Sequence, residues 1–204
     1  MSALPEEPTK SVTGRALTVL TAFDVNHPRL TLTELSKRTG LPLATVHRLA
    51  RELEQWRALD RDEQGRYGVG FKLWEMGLLA PVHSRLREVA MPNLLEVYRA
   101  SGETVQLAAC DGFEAVYVDK LTSSTAIPAA SRIGARLPLH ATGVGKALLA
   151  FQPTAYIDAL MQRPLERSTQ FTKADPSSLR RELALIRTRG YATSSQEYVL
   201  GATS

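Results

Sequence analysis

The sequence predicts an α+β protein of two domains, and three observations predict it. Residues 13–59 carry helix punctuation three times over: capping side chains, apolar stripes of helical period and a glycine stop. Residues 59–69 and 104–121 alternate like strands and are folded back by short polar turns. Between these halves, Phe71 to Ala100 reads as amphipathic helix interrupted at Pro81 and Pro92.

The first helix is expected from about Gly14 to Asp24, with Ala16, Leu17, Leu20 and Phe23 as its apolar stripe and Thr13 as N-cap. Asn26-His27-Pro28-Arg29 breaks it. Thr31 and Glu34 then form an S/T-x-x-E capping box, in which each satisfies an orphan amide of the other's turn. Leu32 and Leu35 supply the buried side of that second helix, and Gly40 suits the left-handed conformation that ends it. Pro42 fits the first turn of a third helix, where its missing N–H is no loss. There Val46, Leu49 and Leu53 make a core-facing stripe, while Ala44, Thr45, His47, Arg48 and Arg51 occupy the other face. Leu59-Asp60-Arg61, a turn at Glu63-Gln64-Gly65 and the return Arg66 to Val69 complete a hairpin. Three helices followed by a hairpin make a winged helix-turn-helix.

A short helix anchored by a partner, with small and basic residues at its exposed start, suits insertion into a DNA major groove. On that reading Thr45, His47 and Arg48 make the groove contacts, and Ala44 lies with them on the DNA-facing side. Arg51, Lys37 and Arg38 lie nearer the phosphates, Thr33 joins the DNA-binding set, and Arg61 and Arg66 of the hairpin reach phosphates or the minor groove. The same spacing also suits an ordinary helical hairpin with a solvated charged face, or a module that binds protein. Bulk charge does not decide between them. The chain carries a net +4, and residues 1–80 hold 11 Lys and Arg against 10 Asp and Glu. Any affinity for nucleic acid must therefore come from local placement.

Past the hairpin, Phe71 to about Ala80 is expected as helix. Val82, Leu86, Val89, Leu94, Val97 and Tyr98 continue the pattern until Gly102 ends it. Apolar residues on more than one side make this stretch a place to dimerise, and two reading helices would then match a pseudo-palindromic operator. Thr104 to Ala109 and Glu114 to Leu121 read as strands joined by Cys110-Asp111-Gly112-Phe113, with a third strand near Ile127 to Ser131. Helices follow at Val144 to Phe151, at Tyr156 to Met161 and from Asp175-Pro176 to Arg189. Gly190 stops the last of them and Tyr191 to Ser194 returns as a strand.

His140-Ala-Thr-Gly-Val-Gly-Lys146 offers helix-start amides to a carboxylate. It is not a Walker A loop: His140 stands where the first glycine belongs and Ala147 where Ser or Thr should follow the lysine. Close helix-to-sheet packing is the other reading of its glycines. Cys110, the single cysteine, ends an apolar strand and lacks the features of a nucleophile. No His or Cys cluster has metal-ligand spacing, so neither metal, cofactor nor catalysis is expected. No run approaches the ~20 apolar residues of a membrane span, and residues 1–10 read as an acidic, disordered lead-in to a cytoplasmic protein.

The chain resembles the IclR-type bacterial transcription regulators. The resemblance lies in the GLP-x-x-TVHRL core (Gly40 to Leu49), in a hairpin with Arg61, Gly65, Tyr67 and Gly70, and in Leu73 and Gly77. It continues through Glu103 to Leu107, Leu137 to Ala150, Arg189 to Ala192, and Glu197 with Gly201, in the family's order. The resemblance implies a winged helix-turn-helix over 11–72 (helix-turn-helix 32–51), a linker and dimerisation helix over 73–101 and a GAF-like effector domain over 102–204. It implies a regulator that binds operator DNA as a homodimer or tetramer and answers to a small carboxylate or aromatic acid. Carried over by position, the effector pocket falls on Ala126, Ala129, Gly143, Val144, Ser194 and Ser204. Ser194 stands where some acid-binding relatives have aspartate. The chain stops at Ser204 where relatives continue, so the effector domain is expected to be truncated.

Overall fold

A computed structural model describes residues 11–80, 85–122 and 132–204. The lead-in at 1–10, the break at Pro81 with Val82, the strand expected near Ile127 to Ser131, and Ala126 and Ala129 lie outside the described residues. The chain forms two compact units, Met1–Ser84 and Arg85–Ser204.

In the first unit, α1 (Val12–Leu20) starts two residues earlier than the sequence suggests. Ser11, not Thr13, is its N-cap, and its hydroxyl accepts the Gly14 amide at 3.0 Å. The expected capping box starts α2 (Leu32–Thr39): Thr31 Oγ1 accepts from the Glu34 amide and Glu34 Oε2 from the Thr31 amide. Gly40 closes α2 at φ 69. Helix α3 (Leu43–Gln55) follows, with Pro42 one place outside the first turn, as the N-cap. Strands β2 (Leu59–Arg61) and β3 (Tyr67–Val69) form the hairpin, closed by bonds between Asp62 and Arg66 and between Asp62 and Gly65. A third strand, β1 (Arg29–Leu30), pairs with β3 inside the stretch taken only as a helix break. Val19, Leu30, Leu35, Val46, Leu49, Leu59 and Tyr67 make one core. Helix α4 (Phe71–Leu78) ends this unit's described elements and buries none of its residues.

The Thr31 cap sits directly before the turn that aims α3. Thr31→Ala is expected to lower this unit's stability by about 1 kcal/mol. The urea midpoint followed by tryptophan fluorescence checks it, and an unchanged midpoint counts against the cap.

The second unit opens with α5 (Arg87–Ser101), which runs on through Pro92 and stops at Gly102, φ 69. Strands β4 (Val105–Asp111) and β5 (Glu114–Leu121) pair antiparallel; Cys110 and Asp111, expected in the turn, extend β4 and pair with Ala115 and Glu114, so Gly112 and Phe113 alone join the strands. The third strand among the described residues is β6 (Arg136–Pro138), on the far side of β5. Helices α6 (Gly143–Ala150), α7 (Thr154–Met161) and α8 (Pro176–Arg189) complete the unit, with Asp175 and Gly190 capping α8 as expected. Leu137, Leu139, Leu149, Ile157, Leu160, Leu179, Leu183 and Ile186 fill the core.

Tyr191 to Ser194 is not a strand. Ser194 exchanges backbone hydrogen bonds with Ser204 at 2.7 and 2.9 Å, and Ser195 forms only a lone bridge to Thr203. This segment closes on itself, through Gln196 at φ 56 and Gly201 at φ 79, and among the described residues it joins no sheet ladder.

Candidate nucleic-acid interface and effector cavity

The two faces of α3 are cleanly divided. Val46, Leu49 and Ala50 are buried, whereas Ala44, His47, Arg48 and Arg51 are exposed at i, i+3, i+4 and i+7. Thr45, beside them, is half-buried. The helix therefore sits with one stripe locked in the core and the other free to enter a groove. Thr33 and Lys37 are exposed on α2. Arg61 and Arg66 are exposed on the hairpin.

Several of the arginines are engaged within the unit. Arg38 donates to Ala22 O at 2.8 Å and to Asp24 Oδ2 at 2.5 Å, tying α2 to the segment after α1. The Asp24 carboxyl is held at about 2, first by the hydrogen bond from His27 and then by the Asn26 amide and Arg38, against a smaller rise from burial. Arg66 bonds Asp62 and Gln64, and Arg61 lies 5.4 Å over the Tyr67 ring. Arg48 pairs with Glu52 one turn on, at 2.7 Å. Among the described residues Lys37, His47 and Arg51 are tied to no carboxylate. Arg38 is thus a structural staple as much as a phosphate candidate, a role no local motif announced.

In the second unit a cavity of about 450 Å³ opens between α5, the start of β4, the start of α6 and the 194–204 segment. Val144, Ser194 and Ser204 line it, so three of the six expected effector residues come together. Gly143 stands just behind: a Cβ there would meet Ser204 Oγ at 2.7 Å. Thr142 Oγ1 caps the Gly145 amide at 3.1 Å, leaving Gly143 and Val144 as the first-turn donors of α6. Sequence reasoning missed Gln106, Tyr117 and Tyr198 on the wall.

Lys146 does not point to a ligand. It is fully buried, with Nζ 2.8 Å from Glu182 Oε1 and 2.7 Å from Glu197 Oε1. Burial pushes the Glu182 carboxyl up, but the hydrogen bonds from Lys146 and Lys173 outweigh it and hold it below 4.5. A lysine so committed has no reach for a phosphate. Gly145 is there for packing, since a Cβ would lie 2.6 Å from Leu139 Cα. His140 Nε2 contacts Glu166 O at 2.8 Å, and Cys110 faces Tyr156 and Gln152. Burial raises the Cys110 thiol's pKa, with the Tyr156 hydroxyl opposing, so the nucleophilic form is disfavoured.

A winged helix-turn-helix unit followed along the chain by a cavity-bearing α+β unit defines a ligand-responsive transcription regulator as the class. Residues 12–63 match the IclR helix-turn-helix domain, and residues 80–204 match the C-terminal domain of the bacterial transcriptional regulator IclR. The chain belongs to the IclR family of bacterial transcriptional regulators. It is 37% identical to the regulator XynR of Escherichia coli K12 over 185 residues, covering 90% of this chain and 73% of that one. It is 34% identical to KipR of Bacillus subtilis, with coverage of 90% and 73%. The fold matches an IclR homolog from Microbacterium hydrocarbonoxydans complexed with 4-hydroxybenzoate at TM-score 0.87 and 32% identity, covering 95% and 80% of the two chains. Thermotoga maritima IclR matches at 0.74 and 31%, covering 94% and 78%. XynR and KipR are helix-turn-helix transcriptional regulators, not enzymes, and the Microbacterium homolog is complexed with a small aromatic acid. Among the described residues no helix is long and apolar enough to cross a membrane.

Proposed function

We propose that this chain is a cytoplasmic, operator-specific regulator that reads DNA with the exposed stripe of α3. The observation that carries this is the division of α3, with Ala44, His47, Arg48 and Arg51 outward and Val46, Leu49 and Ala50 inward. Thr45, His47 and Arg48 contact base edges, while Thr33, Lys37, Arg38 and Arg51 lie along the backbone and Arg61 and Arg66 flank it from the wing. A homodimer, or a dimer of dimers, sets two such helices on a pseudo-palindrome. Helix α4 supports the dimer: the Phe71 and Trp74 rings meet at a 40° tilt, 4.7 Å between centres, yet both remain over half exposed. We assign residues 73–101 to linker and dimerisation, and 102–204 to the effector. The effector is a small carboxylate or aromatic acid seated in the 450 Å³ cavity against Val144, Ser194 and Ser204. The 4-hydroxybenzoate seen with the Microbacterium relative is a natural first trial ligand.

The test is an anisotropy titration with the protein's own upstream intergenic DNA at two salt concentrations. Arg48→Ala is expected to weaken operator binding roughly 10- to 100-fold while leaving binding to random DNA little changed. The exposed Arg48–Glu52 pair contributes only a few tenths of a kcal/mol, so it yields readily to a base. Equal affinity for operator and random DNA, indifferent to Arg48→Ala, would move the chain to the protein-interaction reading.

A further inference from the structure

A second concavity of the C-terminal unit, a groove of about 460 Å³, shares no lining residue with the effector cavity. One wall is a single stripe of α8: Ser178, Arg181, Glu182, Leu185 and Arg189 fall at i, i+3, i+4, i+7 and i+11. Lys173 and Thr193 complete it. Its charges are unevenly used. Buried Glu182 accepts from Lys146 at 2.8 Å and from Lys173 at 3.0 Å, and the same lysines lie 2.7 and 3.9 Å from Glu197. Two cations there answer two anions. Arg181 and Arg189 are left over: both are exposed, and among the described residues neither holds a carboxylate. The Asp175 carboxyl is lowered first by the Ser177 hydroxyl and only last by Arg181, with no ion pair between them. Arg189 gives Nε to Tyr191 O at 2.5 Å and lies 4.8 Å over the Tyr191 ring, which steadies the guanidinium without neutralising it. Eight residues of helix set the two arginine Cα atoms roughly 12 Å apart. Midway between them Leu185 is 62% exposed. Each guanidinium also has a lining hydroxyl near it along the chain, Ser178 one turn before Arg181 and Thr193 just past Arg189.

We propose that this groove is a second ligand site, which binds an elongated organic dianion: two oxyanion heads, one for Arg181 and one for Arg189, joined by an apolar stem that lies on Leu185. The surplus of two positive charges matches two heads. Guanidinium suits each of them, because its paired N–H groups meet two oxygens at once. A compact dianion cannot span the two arginines, and a monoanion leaves one of them unmet. The site stands apart from the effector cavity and does not depend on it.

Three acids test it on the full chain by calorimetry at low salt and pH 7.5: suberate, octanoate of the same length with one carboxylate, and succinate with two carboxylates close together. The wild type should bind suberate about tenfold more tightly than either of the others. Arg181→Gln and Arg189→Gln should each bring suberate down to the level of octanoate while changing octanoate little. Both side chains are exposed, so the variants should keep the wild-type circular dichroism. Leu185→Ser should weaken suberate and octanoate alike, since both lose the surface for the stem. Added salt should erode suberate binding more steeply than octanoate binding, because two charge contacts are screened instead of one. Equal affinity for suberate and octanoate overturns the proposal, and so does succinate binding as well as suberate, which would remove the two-ended geometry. A suberate preference that survives both arginine substitutions places the acid elsewhere on the chain and overturns it as well. Failure of the wild type to bind suberate at millimolar concentration does the same, and leaves the effector cavity untouched.

Discussion

Lys146→Met is expected to remove about 3–5 kcal/mol from the stability of the C-terminal unit. The side chain is fully buried, and its ammonium sits 2.8 and 2.7 Å from carboxylates that are themselves only 9% and 4% exposed. Taking away the cation leaves two buried carboxylates with Lys173 alone, which is 3.0 Å from Glu182 but 3.9 Å from Glu197. The cost is therefore the desolvation of anions that no longer have a full partner. Its pH dependence has a definite sign. In the wild type Glu182 titrates below 4.5, so its share of stability is present above that value and fades as acid protonates it. In the variant Glu182 loses the Lys146 hydrogen bond that holds its carboxyl down while its burial remains, so protonation is favoured there and the deficit grows with pH. Melting by circular dichroism at pH 5 and at pH 7.5 should show a smaller loss at the lower pH. Replacing Lys146, Glu182 and Glu197 together by apolar residues of similar volume should recover much of it. A single variant that melts like the wild type at both pH values would refute the network's role.

The second large effect falls on the wing. Gly70 has an ordinary φ of −81, so its requirement is space and not conformation. A Cβ there would lie 2.3 Å from Arg57 O and 2.9 Å from the Ala58 carbonyl carbon, both backbone atoms. The Gly70 amide also donates to Ala58 O at 2.8 Å, fixing the end of β3 against the start of β2. Gly70→Ala must push this junction apart, at about 1–3 kcal/mol or more, and should weaken operator binding through the displaced wing. Gly77→Ala is the control, since a Cβ there meets nothing within 4 Å. Both tryptophans, Trp56 and Trp74, lie in residues 1–84. Their fluorescence therefore reports Gly70→Ala and should be silent to Lys146→Met, whose unit holds its own core. Equal urea midpoints for Gly70→Ala and the wild type would rule out the clash.

What the sequence made legible is what short-range chemistry encodes. The Thr31–Glu34 box, the Gly40 stop, the α3 stripe, the turn at Gly112-Phe113 and the Asp175 and Gly190 caps all depend on residues within four positions. The family's order of motifs carried the assignment of class. What stayed hidden depends on partners far along the chain. Strand β1 is two residues long and exists only because β3 passes beside it. Strand β6 is likewise too short to show a period. Lys146 meets carboxylates 36 and 51 residues away, so its helix start looked like a ligand loop when it is a core ion network. The Tyr191 to Ser194 stretch alternates like a strand, but Ser194 at its end pairs with Ser204 of the chain just beyond.

Under the proposed reading, in which the first unit meets DNA through these arginines, their occupied state bears on how the protein would search a genome. Arg38, Arg48 and Arg66 each already hold a carboxylate, and residues 1–80 are nearly neutral in sum. Random sequence gives a bound protein little beyond counterion release, and that gain shrinks when each arginine must first give up an acidic neighbour. Residence on the millions of competing sites is then brief, and the free pool stays large. Only a site that offers base edges as well as phosphates repays the exchange, so the contrast between operator and background rises without any increase in absolute affinity.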